Sequence, residues 1–123
     1  MMVNARAERV AGQVQKIVSD LLRRSIRDPR LASTTITGVK MSADLRIARI
    51  YFTTSEGPDS ANQAGDGFQS AIGFLKRQMA QGLKLKYMPD LQFYYDESID
   101  YGQHIDQLLK KIKTDNDTDN SPS

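Results

Sequence analysis

Few side chains in this sequence have the types and spacing that bond-making chemistry requires. His104, in the run QHIDQL, is the single histidine, and there is no cysteine. A thiolate nucleophile, a disulfide and a cysteine-ligated metal site are therefore excluded, and a lone histidine completes no metal set. Asp96, Glu97 and Asp100 form the densest group of carboxylates before the tail. Adjacent residues do not face one another, and acids are favoured electrostatically at helix N-termini, so capping accounts for them better than acid–base catalysis. The glycines of GPDSANQAG lack the Lys-Ser/Thr close of a phosphate-binding loop. No nucleophile with a base and no metal set can be assembled, so the chain reads as a binder without catalytic residues, metal or cofactor.

Positive charge, by contrast, is patterned. At 100° per residue, Arg9, Lys16, Arg23 and Arg27 fall within about 40° of one another on a helix face turned away from Val14 and Leu21. Arg6 and Arg24 flank them, and only Glu8 and Asp20 adjoin the stripe. Further cations follow at Arg30, Arg46, Arg49, Lys76, Arg77, Lys84 and Lys86. Lysine and arginine in ridges neutralise phosphates, so these residues are candidates for binding a polyanion, most simply RNA. The formal net charge of +2 understates this. Asp115, Asp117 and Asp119 in TDNDTDNSPS carry negative charge into a tail without a single base. Tyr51, Tyr94 and Tyr95 could stack on bases or form ordinary cross-strand and core pairs.

The elements that must position these residues follow from hydrophobic periodicity. Val10, Val14, Ile17, Val18, Leu21 and Leu22 give a buried stripe over residues 4–26, and Asp28-Pro29 ends that helix. TTITGVKM (34–41) and LRIARIYFTT (45–54) read as an antiparallel hairpin, with Gly38 as a bulge and Ala48, Ile50 and Phe52 toward the helices. A second helix is predicted over 60–83, opened by a Ser60/Gln63 capping box, frayed by Gly65 and Gly67 and interrupted in its stripe by Gly73. Gly73 costs helix stability, so it either admits a close neighbour or allows a bend at a binding surface. LQFYYD (91–96) gives a third strand, and Ile105, Leu108, Leu109 and Ile112 a last helix over 98–113. One domain over 1–113 and a disordered acidic tail over 114–123 result. No apolar run approaches the roughly 20 residues of a membrane span, and the start lacks the apolar core of a signal peptide. A soluble cytoplasmic protein is expected.

The phrases ERVAGQVQKIVSDLLRRSIRDPRL, TITGVKMSADLRIARIYF and SAIGFLKRQMAQGLKLKYMPDLQFYYDESID closely resemble bacterial ribosome-binding factor A. The match covers nearly all of the folded region. It is made specific by Asp28-Pro29-Arg30-Leu31, Asp44-Leu45-Arg46, and Pro89-Asp90-Leu91 leading into Phe93-Tyr94-Tyr95-Asp96. The resemblance implies an α+β, KH-like fold of the second type, ordered α-β-β-α(kinked)-β-α, with the helices on one face of a three-stranded sheet. It also implies a helix kink at Ala71-Ile72-Gly73, where Gly73 permits the bend and Ile72 must find an apolar pocket. As to function, it implies a monomeric factor that binds the small (30S) subunit and 16S rRNA during late maturation and rRNA processing. Importance in the cold and a partner ribosome-assembly GTPase belong to the same implication. The competing reading is a protein-docking adaptor that uses the KH-like fold as a scaffold.

Overall fold

The computed structural model describes residues 4–98. The first helix, α1 (Ala5–Arg24), opens on Asn4, whose Oδ1 accepts the Ala7 N–H at 2.9 Å. Glu8 in the first turn and Arg23 and Arg24 in the last complement the helix dipole. Ala7, Val10, Ala11, Val14 and Val18 make the buried stripe. The helix stops short of the expected residue 26. The Ser25 and Ile26 N–H groups both turn back onto the Leu21 carbonyl at 2.9 Å, and the chain leaves the axis before Asp28-Pro29. Arg27 is thus in the linker, and the helical angle that placed it beside Lys16 and Arg23 does not apply.

Strands β1 (Thr34–Met41) and β2 (Ile47–Thr54) pair antiparallel. Ile36 faces Phe52 and Gly38 faces Tyr51, so Thr37 is the extra residue of the expected bulge. β2 starts two residues later than its alternation suggests, because Leu45 takes a left-handed φ of 63° and belongs to the turn. The segment after β2 closes through a 3-10 turn, Pro58–Ser60, into α2 (Ala61–Gly82). Ser60 makes no capping box. Its φ and ψ of −99° and 6° are not extended, and its hydroxyl instead meets Thr54 Oγ1 at 2.7 Å and the Gly57 carbonyl at 3.2 Å.

Helix α2 runs unbroken through Gly65, Gly67 and Gly73. It returns the chain so that β3 (Asp90–Tyr95) lies parallel to β2, giving the order β1-β2-β3. The Asp90 N–H to the Arg46 carbonyl (2.8 Å) and the Asp96 N–H to the Phe52 carbonyl (2.7 Å) extend this pairing at both ends. Asp96 Oδ1 accepts the Ser98 N–H at 3.0 Å, the capping role expected of it. The predicted helix over 98–113, with His104 and Asp100, lies outside the described residues but for its first position, as does the tail.

Both helices cover one sheet face. Val14 and Val18 of α1 and Phe68, Leu75 and Met79 of α2 are fully buried against Ala48, Ile50 and Phe52. Each such large side chain contributes about 1.5–3 kcal/mol on burial. Phe68 stacks on Phe93 at 4.3 Å between centroids and meets Phe52 at 5.0 Å. Ile72 packs against the edge of this core, so the bulky middle residue of Ala71-Ile72-Gly73 has its apolar contact. On the face that the described residues leave uncovered, Tyr51 stacks with Tyr94 at 5.7 Å, a cross-strand pair, whereas on the core side Tyr95 meets Phe52 edge-on.

Candidate nucleic-acid interface

The cations fall into four groups. Arg9, Lys16, Arg23 and Arg24 are exposed along α1, with Arg27 exposed just beyond it. Arg23 pairs with Asp20 one turn back. Arg9, Lys16, Arg24 and Arg27 make no ion pair among the described residues. Their charge stays outward because the opposite stripe of α1 is committed to the core.

Arg30 is differently employed. The Asp28 carboxylate accepts the Arg30 backbone N–H at 2.9 Å and its guanidinium at 2.7–3.2 Å, and Nη2 also reaches Ser70 Oγ at 3.2 Å. This guanidinium holds the Asp28 carboxyl below the usual carboxylate range. The pair positions Leu31, which is buried against Gly67 of α2. Arg30 therefore latches the α1 exit to α2, with much of its hydrogen-bonding capacity used inside the protein.

The third group surrounds the Ala71-Ile72-Gly73 stretch. Gly73 is exposed, and a Cβ built there would meet only the Arg77 guanidinium, Nη1 at 3.4 Å. Among the described residues no backbone from outside the helix's own turns approaches it. Close packing within them does not explain this glycine; it leaves a bare strip of helix over which Arg77 lies, with half-buried Lys76 alongside. Lys76 and Arg77 make no ion pair among the described residues. Past the helix end, Lys84 is exposed as well.

The fourth group is assembled by the hairpin turn. Ser42 Oγ accepts the N–H groups of Arg46 (3.1 Å) and Ile47 (3.0 Å) and donates to Asp44 Oδ1 at 2.7 Å. Asp44 Oδ1 also accepts the Arg46 N–H at 3.1 Å. The Ser42 hydroxyl and this N–H hold the Asp44 carboxyl below its ordinary range. Since the Arg46 carbonyl is bound by Asp90, this arginine is fixed on both sides and brought beside Lys86. Between them stands Tyr87, 56% exposed, a residue that periodicity did not mark. Its available signal was its position directly after Lys84-Leu85-Lys86, an aromatic among lysines in a stretch with neither helical nor strand period. Arg49 joins none of these groups: it projects from the uncovered sheet face, between Lys40 and Gln92 in the register.

A family model described as ribosome-binding factor A matches residues 6–109. The chain belongs to that family. Ribosome-binding factor A of Desulfatibacillum aliphaticivorans is 48% identical over 107 residues, 87% of each chain. Among solved structures, the crystal structure of ribosome-binding factor A from Thermus thermophilus superposes with a TM-score of 0.64 at 19% identity, covering 72% of this chain and 93% of that one. A Thermus thermophilus ribosome-binding factor A homology model, fitted into a cryo-EM map of a 30S complex, gives 0.60 at 19% identity, with coverages of 74% and 96%. The KH-like α+β fold is thereby shared. The motif runs that carry the family resemblance are now seen to be joints of this fold. Asp28-Pro29-Arg30-Leu31 is the latch onto α2, while Asp44-Leu45-Arg46 and Pro89-Asp90-Leu91 meet through the Arg46 carbonyl.

Proposed function

We propose that this ribosome-binding factor acts as a non-catalytic assembly factor on the small (30S) ribosomal subunit, contacting 16S rRNA during late maturation and rRNA processing, with its need greatest in the cold. The observation that carries this reading is the pairing of Lys76 and Arg77, two cations without an acidic partner among the described residues, with the bare helix strip at Gly73. A side-chain-free backbone flanked by cations suits an approaching phosphodiester chain. The α1 ridge of Arg9, Lys16 and Arg24, together with Arg27 beyond the helix end and Lys84, would extend the contact, with Arg23, Arg30 and Arg49 as lesser contributors. Affinity would come largely from counterion release and fall steeply with salt. Tighter binding to one arrangement of an rRNA segment would shift the population toward it without any bond chemistry. Release falls to the rRNA reaching a conformation that no longer fits, or to an assembly GTPase. The factor acts as a monomer in the cytoplasm.

Sucrose-gradient sedimentation of cell lysate tests this. The protein is expected with free small subunits and absent from translating ribosomes, and nuclease digestion of the rRNA should release it. Sedimentation only at the top of the gradient in low salt would overturn the reading. Attachment that survives digestion would favour docking onto a protein instead.

A further inference from the structure

The region around Tyr87 has a chemistry that phosphate neutralisation alone does not use. Tyr87 lies between α2 and β3 with more than half its surface in solvent. The Arg46 guanidinium carbon is 5.0 Å from its ring centroid and Lys86 Nζ is 5.5 Å away, both within reach of the ring quadrupole. Beside the ring is a cleft of about 290 Å³, with Leu45 and Leu85 giving apolar lining and Arg6, Arg46 and Lys86 charged edges. That volume is at the small end for ligand sites, about 300–1,000 Å³.

The frame under these side chains is rigid. Arg46 is held through its N–H by Ser42 and Asp44 and through its carbonyl by Asp90. Asn4 Nδ2 donates to the Ala43 carbonyl at 3.3 Å and ties the start of α1, with Arg6, to the same turn. Leu45 is kept in a left-handed conformation at φ 63°, strain of the kind that persists where surrounding contacts over-determine it. Three separate segments therefore converge on Tyr87, the exposed tyrosine that the described residues place at this end of the sheet. Asp44, the acid among the described residues at the cleft, is exposed and charged, with its Oδ1 accepting from Ser42 and the Arg46 N–H, and Arg6, Arg46 and Lys86 outnumber it there.

We infer that Tyr87, with Arg46, Lys86 and Arg6 around it, is a stacking subsite for one unpaired base of a single-stranded RNA segment. The inference deepens the proposed rRNA contact and rests on it. An aromatic face and two leucines offer nothing to a phosphate, and a base inside a duplex cannot present its face to them. A splayed nucleotide fits both halves of the cleft: its base takes the place over the ring that the Arg46 and Lys86 side chains now hold, against the leucines, and the displaced cations meet its flanking phosphates.

The test uses the full chain, a labelled hexa-adenylate RNA and, separately, an RNA duplex of the same length. Tyr87→Leu is expected to weaken hexa-adenylate binding by about 5- to 100-fold while leaving the salt slope unchanged, because the tyrosine carries no charge. Tyr87→Phe should retain affinity, Arg46→Gln should reduce the slope by about 1, and duplex binding should not respond to Tyr87→Leu. With five tyrosines and no tryptophan in the chain, stacking is also read directly as quenched tyrosine emission, which Tyr87→Leu should diminish. Unchanged hexa-adenylate affinity in Tyr87→Leu, with circular dichroism as in the parent, overturns the subsite. An equal loss of affinity for a hexaglutamate peptide would make the site an acid-binding surface and overturn it too. If the parent protein binds small subunits while Tyr87→Leu has no effect on RNA, only the subsite fails. If the parent binds neither RNA nor subunits, the functional reading falls and the subsite with it.

Discussion

Gly67 and Gly73 stand six residues apart in the same helix, and they answer to opposite requirements. A methyl group at Gly67 would come within 2.9 Å of Leu31 Cγ, whereas at Gly73 it would meet only the tip of Arg77 at 3.4 Å. Around Gly67 the charges are spent on the fold: Asp28 and Arg30 grip each other and set Leu31 into the helix. Around Gly73 the charges face outward and no other described segment covers the backbone. A glycine in a helix costs about 0.5–1 kcal/mol relative to alanine wherever it sits. At Gly67 packing against Leu31 offsets that cost, while at Gly73 nothing inside the described residues does. The contrast separates a glycine that packing against Leu31 explains from one that no packing among the described residues explains.

Charge reversal tests the outward side most severely. Lys76→Glu with Arg77→Glu should weaken binding to small-subunit particles by about 100-fold or more, since two attractive phosphate contacts become repulsive. Circular dichroism should be unaltered, because neither side chain supports the core. Retained binding at moderate salt would break the assignment of this surface. Gly67→Ala should act in the other direction. Pushing Cβ into Leu31 costs about 1–3 kcal/mol and a helical alanine returns about 0.5–1 kcal/mol, a net loss of about 0–2.5 kcal/mol and a fall in melting temperature of up to roughly 15 °C for a domain of this size. The folded fraction should still bind subunits normally. A melting temperature raised by a few degrees, the full gain of a helical alanine, would mean that Leu31 yields without cost, and the two glycines would no longer differ in kind.

Much of this arrangement is legible in the sequence, and the parts that are not have physical causes. The alternation in IARIYF fixed which face of β2 enters the core, and β-branched residues with a misplaced Gly38 marked both β1 and its bulge. Helix ends were less visible, since Ser60 has the spacing of a capping box but sits in a 3-10 turn whose backbone aims its hydroxyl elsewhere. Likewise Arg27 lies on the basic face only if α1 continues, and hydrogen bonds onto the Leu21 carbonyl stop it first. Gly67 looked like a weak point because propensity counts only the residue and not Leu31, which arrives from 36 positions earlier. The cations were all readable as charges. Which of them are committed inward, as Arg30 is, and which converge on Tyr87 depends on contacts between distant segments that no local pattern encodes.

The finest test of the contrast is Gly73→Ala, because it should improve the fold and impair the function. With no backbone from outside its own helical turns within 4 Å of the new methyl among the described residues, the substitution should stabilise α2 by about 0.5–1 kcal/mol and raise the melting temperature by a few degrees. The same methyl covers the bare strip and comes into van der Waals contact with the Arg77 guanidinium, so affinity for small subunits should fall by about tenfold or less, ~1 kcal/mol. A protein made more stable and less able to bind is the signature of a residue retained against folding for the sake of a surface. Were the variant less stable, a packing contact beyond the described residues would be the reason for Gly73. Were it more stable and equally tight-binding, the strip would have no partner, and Lys76 and Arg77 would have to work without it.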